Sequence, residues 1–167
     1  PAAVDNPEGI RQACAAPRGE TKTTFVDVFF SLWCVVTGRK RYILLVADAF
    51  EQAASFLEAI KVELESNPRL MADFPGQCGE GRVWNVGTII TASNVKIQAF
   101  GAGKRMRGLR HGPHRPDLVL LDDLENDENV RSPEQRDKLE GWLMRTVLSL
   151  GPADDSMDDL PNLDDEE

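Results

Sequence analysis

The spacing of apolar and polar residues divides the first half of the chain into alternating helices and strands. Residues 23–37 are apolar at nearly every position, which is typical of a helix buried on most sides, and Gly38 follows as a helix-ending residue. The unbroken apolar run 42–47 predicts a strand covered on both faces. In residues 49–66, apolar positions recur at three- and four-residue steps, as in an amphipathic helix.

The second half predicts more strands, connected by turns rich in glycine and proline. Residues 67–81 form a predicted loop, and residues 83–92 and 94–99 are two predicted strands joined by a tight turn. A further buried strand is predicted at 117–121. Ser132-Pro133 is an N-cap followed by a helix-starting proline, and this helix runs to about Leu150.

Together with a short strand predicted at 10–16, this order of elements defines a fold class. We predict an α/β, P-loop NTPase-like layered domain with a mainly parallel sheet and helices on both faces. Residues 1–150 are sufficient for one such domain with its own core.

The net negative charge of the chain is concentrated at its end. The formal net charge is −9, but eight of the 28 acidic residues and no basic residue lie in 151–167. Residues 1–150 therefore hold 20 acidic and 19 basic residues. A run of like charges with few apolar residues does not bury enough surface to fold, so we predict a disordered acidic tail at 151–167.

Several classes of protein are excluded by composition. The longest apolar stretch, 25–36, is shorter than the roughly 20 residues of a membrane helix, and the three widely spaced cysteines do not suggest a disulfide framework or a zinc site. We therefore expect a reducing compartment, and no membrane partner. Because the chain begins at Pro1 without Met, we expect a fragment or a processed product.

The first stretch that indicates chemistry is residues 16–24, APRGETKTT, between a predicted strand and a predicted buried helix. Backbone N–H groups at a helix start face phosphates, while a lysine reaches the β- and γ-phosphates and a following hydroxyl ligates Mg²⁺. Lys22 and Thr23 satisfy the last two positions of that pattern. Ala16 and Thr21 stand where its two glycines would be.

The second stretch is the apolar strand that ends in Asp122-Asp123. It predicts paired carboxylates at the carboxyl edge of a sheet, facing the same crevice as the phosphate loop. Asp122 would then contribute to an Mg²⁺ shell, and Asp123 would orient or deprotonate the attacking water, with Glu125 as a second candidate for that base.

The third stretch, residues 104–115, contains five basic side chains, both histidines and no acid. A solvated loop, or one that balances the acids at 122–128, would need no function. The functional alternatives are an arginine that reaches a γ-phosphate and a contact to a nucleic-acid backbone. Neither histidine has a ligand partner at metal spacing.

Taken together, three motifs resemble the ATPase domain of phage large terminase subunits, the motors that package DNA into proheads. Residues 16–24 resemble the family's deviant Walker A loop, where an arginine precedes the glycine. Residues 103–112, GKRMRGLRHG, resemble its Arg-Gly-Leu-Arg loop, and residues 117–127, DLVLLDDLEND, resemble its Walker B segment. The following VRSPEQR, at 130–136, is similar to a prophage terminase group. The likeness covers residues 10–150.

This resemblance implies ATP hydrolysis with Mg²⁺ as the activity, and a role for each matching residue. Thr23 and Asp122 would hold the metal, Asp123 or Glu125 would be the catalytic carboxylate, and Arg107 or Arg110 would be the finger that reaches a neighbour's ATP. The implied ATP-binding loop consists of Arg18, Gly19, Glu20, Thr21, Lys22, Thr23 and Thr24.

The implied partners are double-stranded DNA, a terminase small subunit, a portal protein and further copies of the chain in a ring, in the host-cell cytoplasm. Thr21 and Glu20 depart from the family pattern, since a β-branched residue crowds a tight loop and an acid repels phosphate. The family's coupling motif and nuclease domain are absent from this sequence. The alternatives are therefore a degenerate prophage remnant that retains the fold without ATPase activity, and another helicase-like P-loop ATPase.

Overall fold

The computed structural model describes residues 10–12, 24–124, 132–147 and 150. Within them the chain is α/β, with one five-stranded open sheet and helices. A π-helical segment, Thr24–Phe29, leads directly into the first α-helix, and a second one, Leu143–Val147, follows the last. In chain order the other elements are α1 Phe30–Val36, β1 Tyr42–Ala47, α2 Phe50–Ser66, α3 Pro68–Asp73, β2 Glu80–Trp84, β3 Thr88–Thr91, β4 Lys96–Gly101, β5 Leu118–Leu121 and α4 Pro133–Trp142.

The sheet is mixed, so the prediction of a mainly parallel sheet is wrong. The strand order is β2-β3-β4-β1-β5. β1 is parallel to both β4 and β5, whereas β3 is antiparallel to β2 and to β4. The physical reason lies in the connections, because parallel neighbours need a crossover of about a dozen residues or more. Only residues 85–87 and 92–95 connect these antiparallel strands, which restricts them to hairpins.

The strand predicted at 83–92 is in fact two strands, separated by a turn at Asn85. Its side-chain Oδ1 accepts hydrogen bonds from the N–H groups of Gly87 and Thr88, at 3.1 and 2.8 Å. The Asn85 N–H donates to the Thr88 carbonyl at 3.0 Å. This side-chain-to-backbone turn reverses the chain inside an otherwise apolar stretch.

The loop predicted at 67–81 contains the short helix α3. Asn67 ends α2 and also caps α3, because its Oδ1 accepts hydrogen bonds from the N–H groups of Arg69 and Leu70, both at 3.1 Å. Pro68 occupies the first turn, where a missing N–H costs nothing. Asn67-Pro68, which ends one helix, therefore also begins the next one.

The helix predicted at 23–37 is confirmed over its described residues, and it ends as predicted at Gly38. Gly38 has a φ of +66°, a conformation that an L side chain rarely adopts. Its N–H donates to the Val35 carbonyl and the Arg39 N–H to the Cys34 carbonyl, both at 3.0 Å. This pair of bonds is the Schellman motif, which satisfies carbonyls left open at the helix end. The strand predicted at 10–16 is not found at 10–12, and its remaining residues lie outside the described part.

Apolar side chains cover both faces of the sheet, as predicted. On one face, α1 and α2 pack on the odd-numbered residues of β1, namely Ile43, Leu45 and Ala47. On the other face, Tyr42, Leu44 and Val46 form a second cluster with Met106, Val147 and Leu150. The alternation follows from the two-residue period of a strand, and all six residues of β1 are buried.

Tyr42, the only tyrosine of the chain, provides a test of this second cluster. Its hydroxyl donates a hydrogen bond to Gln98 Oε1 at 2.6 Å, and burial raises its pKa from 10.0 to about 12. We expect tyrosinate absorbance to appear near pH 12 in the folded protein and near pH 10 in guanidinium. Because the folded-state pKa is the higher one, the contribution of Tyr42 to stability is present below pH 10 and is lost as the pH rises from 10 through 12. A folded-state midpoint near pH 10 would show that the ring is solvated.

Candidate functional site

The carboxyl edge, where β1, β4 and β5 end, brings acidic residues from two neighbouring strands together. Asp122 directly follows β5, is 6% exposed, and its N–H donates to the Val46 carbonyl at 3.0 Å. Asp48 directly follows β1. Because Val46 lies opposite Leu121 in the parallel register, both acids lie at the same end of adjacent strands. In α/β sheets this end is where ligands bind.

Asp123, the next residue, turns the chain away from the sheet. It is exposed and has a φ of +48°, a left-handed conformation in which Asp is among the better-tolerated residues. The two adjacent carboxyl groups therefore lie in different environments, since Asp122 is buried and Asp123 is exposed. Glu125, the alternative catalytic carboxylate, lies outside the described residues.

At this edge, the backbone at the end of β4 lies close to the end of β1 and to the start of α2. The N–H of Ala102 donates to the Ala47 carbonyl at 2.8 Å, which ties the end of β4 to the end of β1. A Cβ at Gly101 would lie 2.9 Å from the backbone N of Phe50, the first residue of α2. That contact is shorter than real Cβ contacts, so Gly101 lets the start of α2 lie directly against the carboxyl edge.

A cleft of about 250 Å³, the edge cleft, opens between this edge and α4. Asp48 and Gly103 line it from the sheet side, and Gln135, Lys138 and Trp142 from the helix side. The Trp142 Nε1–H donates to the Lys104 carbonyl at 2.8 Å and so fixes the helix to the chain that leaves β4. Asp48 and Lys138 are site residues that the sequence pattern did not predict. The rule that selected Asp122, an acid directly after a buried strand, also applies to Asp48.

The predicted phosphate loop falls mostly in a stretch that the structure does not describe. Arg18, Gly19, Glu20, Thr21, Lys22 and Thr23 lie outside the described residues. Thr24 is described, is exposed, and begins the π-helical segment before α1. π-Helical turns occur frequently at functional sites. That the loop and Asp122 face the same crevice stays a prediction.

The basic loop, residues 102–117, crosses the second face of the sheet from the carboxyl edge to the amino edge, where the parallel strands begin. Met106, fully buried, packs against the even-numbered residues of β1. The His111 ring lies edge-on to Tyr42 with centroids 6.3 Å apart, and its Nε2 is 2.8 Å from the carbonyl oxygen of Asn94, just before β4. His111 thus has a structural partner at each side.

Asp117, predicted as the start of the Walker B strand, has a structural role at the amino edge. Its two carboxylate oxygens accept hydrogen bonds from the N–H groups of Arg41 and Tyr42, both at 2.8 Å. These bonds join the start of β5 to the start of β1. Both oxygens of the Asp117 carboxylate are therefore hydrogen-bonded to the backbone.

The predicted finger residues Arg107 and Arg110 are both exposed, and they line a second cavity. This arginine pocket, of about 350 Å³, is formed by Arg107, Arg110, Arg115 and Arg145 with Leu109 and Leu150. Because Arg110 adjoins His111 and Arg115 lies just before β5, the pocket is at the amino edge. With a rise of about 3.3 Å per residue, six-residue β1 separates the two edges by roughly 17 Å.

The described part of the carboxyl edge offers the Asp122 carboxylate as a ligand for a nucleotide-bound metal ion. No group of three or more His, Cys, Asp or Glu residues with metal-site geometry occurs among the described residues. In nucleotide sites Mg²⁺ is held by one or two carboxylates together with the substrate's phosphates, so the Asp122 carboxylate fits that donor set. Within the described ranges, no helix is both long and apolar enough to cross a membrane.

No protein-family model, curated protein or solved structure matches the chain. A functional assignment consequently rests on the residues and on their placement in the fold.

Proposed function

We propose that residues 1–150 are the ATP-binding and ATP-hydrolysing motor domain of a phage or prophage DNA-packaging terminase large subunit. The observation that carries the proposal is the position of Asp122, buried at the carboxyl end of a strand that is parallel to β1. That end of an α/β sheet is where nucleotides bind, and the motif containing Asp122 is the one that resembles Walker B.

In this proposal each motif contributes one part of phosphoryl transfer. Lys22 contacts the phosphates, Arg18 senses them, and Thr23 with Asp122 holds Mg²⁺, which offsets the charge that develops on the phosphoryl oxygens. Asp123 or Glu125 orients the attacking water. Arg107 or Arg110 reaches the nucleotide of a neighbouring copy, because the amino edge lies away from the subunit's own Asp122.

The further partners and the setting belong to the same proposal. Double-stranded DNA would be the translocated substrate, and a small subunit and a portal protein would be the assembly partners of a ring of copies. The setting would be the host-cell cytoplasm.

Phosphate release from ATP, measured with Mg²⁺ and with or without duplex DNA, tests the proposal. We expect turnover in the Mg²⁺ reaction and stimulation by DNA. ATP binding without turnover would favour the degenerate remnant, for which Glu20 and Thr21 in the phosphate loop are the supporting observation. Separation of DNA strands by the chain alone would favour a helicase-like ATPase.

A further inference from the structure

Four arginine side chains converge on the arginine pocket from separate stretches of the chain. Arg107, Arg110 and Arg115 come from the basic loop, and Arg145 comes from the π-helical segment after α4. All four are exposed, and the described residues that line the cavity include no acid. Like charges that line one cavity repel one another, and a bound anion relieves that repulsion.

The arginines are held by a fixed scaffold, so the charge cluster is a property of the fold. Buried neighbours anchor the backbone on either side of them: Met106 precedes Arg107, His111 follows Arg110, and Pro116 follows Arg115. Arg145 lies two residues before the buried Val147. A ligand therefore does not have to order the loop when it binds.

The positive charge of the loop arginines is not neutralised by the described part of the protein. No carboxylate of the described residues forms an ion pair with Arg107, Arg110 or Arg115. The nearest acid in sequence, Asp117, uses both oxygens on the backbone of Arg41 and Tyr42.

The chemistry of the pocket selects phosphate. A guanidinium presents a planar fork of N–H donors that matches phosphate oxygens and stays charged at every physiological pH. The cavity is at the lower end of the size range of ligand sites, and Leu109 and Leu150 give it apolar walls. The three loop guanidiniums alone present more N–H donors around these 350 Å³ than one phosphate has oxygens, so the geometry favours two or more closely spaced phosphate groups.

We infer that the arginine pocket binds closely spaced phosphate groups, presented either by consecutive phosphodiesters of a nucleic acid or by a free oligophosphate. The site lies at the amino edge, whereas the proposed nucleotide site lies at the carboxyl edge. It does not depend on ATP hydrolysis by the chain, and it assigns a role to Arg115 and Arg145, which lie outside the matched motifs.

The test compares a double variant of the full chain, Arg115→Gln with Arg145→Gln, with a matched control, Arg82→Gln with Arg136→Gln. The probes are a fluorescein-labelled DNA duplex, followed by anisotropy, and inorganic tripolyphosphate, followed by calorimetry, both without nucleotide or Mg²⁺. Circular dichroism and unfolding midpoints verify that each variant is folded.

We expect the wild-type chain to bind at least one probe and the pocket variant to bind it roughly 100-fold more weakly, since each lost arginine removes a charge-assisted hydrogen bond. If the ligand is nucleic acid, the slope of log affinity against log salt should fall by about 2, one for each lost phosphate contact. Binding of tripolyphosphate alone would identify a free oligophosphate as the ligand.

Three results would overturn the inference: no binding of either probe, an equal loss in the control variant, or unchanged binding in the pocket variant. Lys22→Ala separates the two proposed sites. Duplex binding should be unchanged in that variant, and a loss of tripolyphosphate binding in it, with binding retained in the pocket variant, would place that anion at the phosphate loop.

Discussion

Replacement of Asp122 by Asn is expected to slow phosphate release from ATP by about 100- to 1,000-fold, the usual loss when an electrostatic stabiliser of a transition state is removed. Asn has the shape of Asp, so the 6% exposed position stays filled and the contacts of β5 with β1 are preserved. It lacks the negative charge, which is what attracts Mg²⁺ in the proposed site. Turnover should therefore fall while the protein stays folded.

Asp73→Asn is the matched control for this variant. Asp73 is exposed at the end of α3, and the same chemical change there should leave turnover within experimental error. Turnover should be measured over a range of Mg²⁺ concentrations, because a weakened metal site is partly restored by more metal. Full activity of the Asp122 variant at low Mg²⁺ would remove Asp122 from the metal site.

Elements whose burial is determined locally could be predicted from the sequence. The strand 42–47 was predicted with its exact bounds, because a strand buried on both faces leaves an unbroken apolar run. The helix 50–66 follows from apolar positions spaced to match its turns, and Gly38 follows from the backbone conformation that a helix end requires. In each case the signal and its cause lie within a few residues.

Strand direction and the meeting of distant segments could not be predicted in the same way. The hydrogen bonds of Asn85 turn an apolar stretch into a hairpin, and periodicity does not detect a turn made by one side chain. The arginine pocket requires both the crossing of the basic loop over the sheet and the packing of the π-helical segment after α4 on the same face. Arg145 and Arg110 are 35 positions apart, and local patterns carry no information about such contacts.

The candidate site likewise contains one acid that could be predicted from local sequence and one that could not. Asp122 was predicted because it ends an apolar strand, and the structure places it buried at the carboxyl edge. Asp48 also directly follows an apolar strand. It was overlooked because the strand and helix patterns on either side of it explained the segment without a functional residue. Its proximity to Asp122 follows only from the pairing of β1 with β5.

Replacement of Lys22 by Ala is expected to weaken ATP binding by about 100-fold, equivalent to about 2.7 kcal/mol, within the range for a charge-assisted hydrogen bond to phosphate. The prediction follows from the resemblance of residues 16–24 to a deviant Walker A loop, in which the lysine contacts the phosphates. Equilibrium binding of a fluorescent ATP analogue measures the change directly. Lys61→Ala is the control, because Lys61 pairs with Glu58 on the surface of α2, at 2.9 Å.

The two site variants make opposite predictions when Mg²⁺ is removed, and this contrast tests the proposed division of roles. In excess chelator, Lys22→Ala should still weaken ATP binding, because the lysine contacts phosphate directly. Asp122→Asn should then bind ATP as the wild-type chain does, because its carboxylate acts through the metal. Unchanged ATP affinity in Lys22→Ala would contradict the phosphate-loop assignment even if Asp122→Asn behaves as expected. A loss of affinity in chelator for Asp122→Asn would instead mean that Asp122 supports the binding site through the fold.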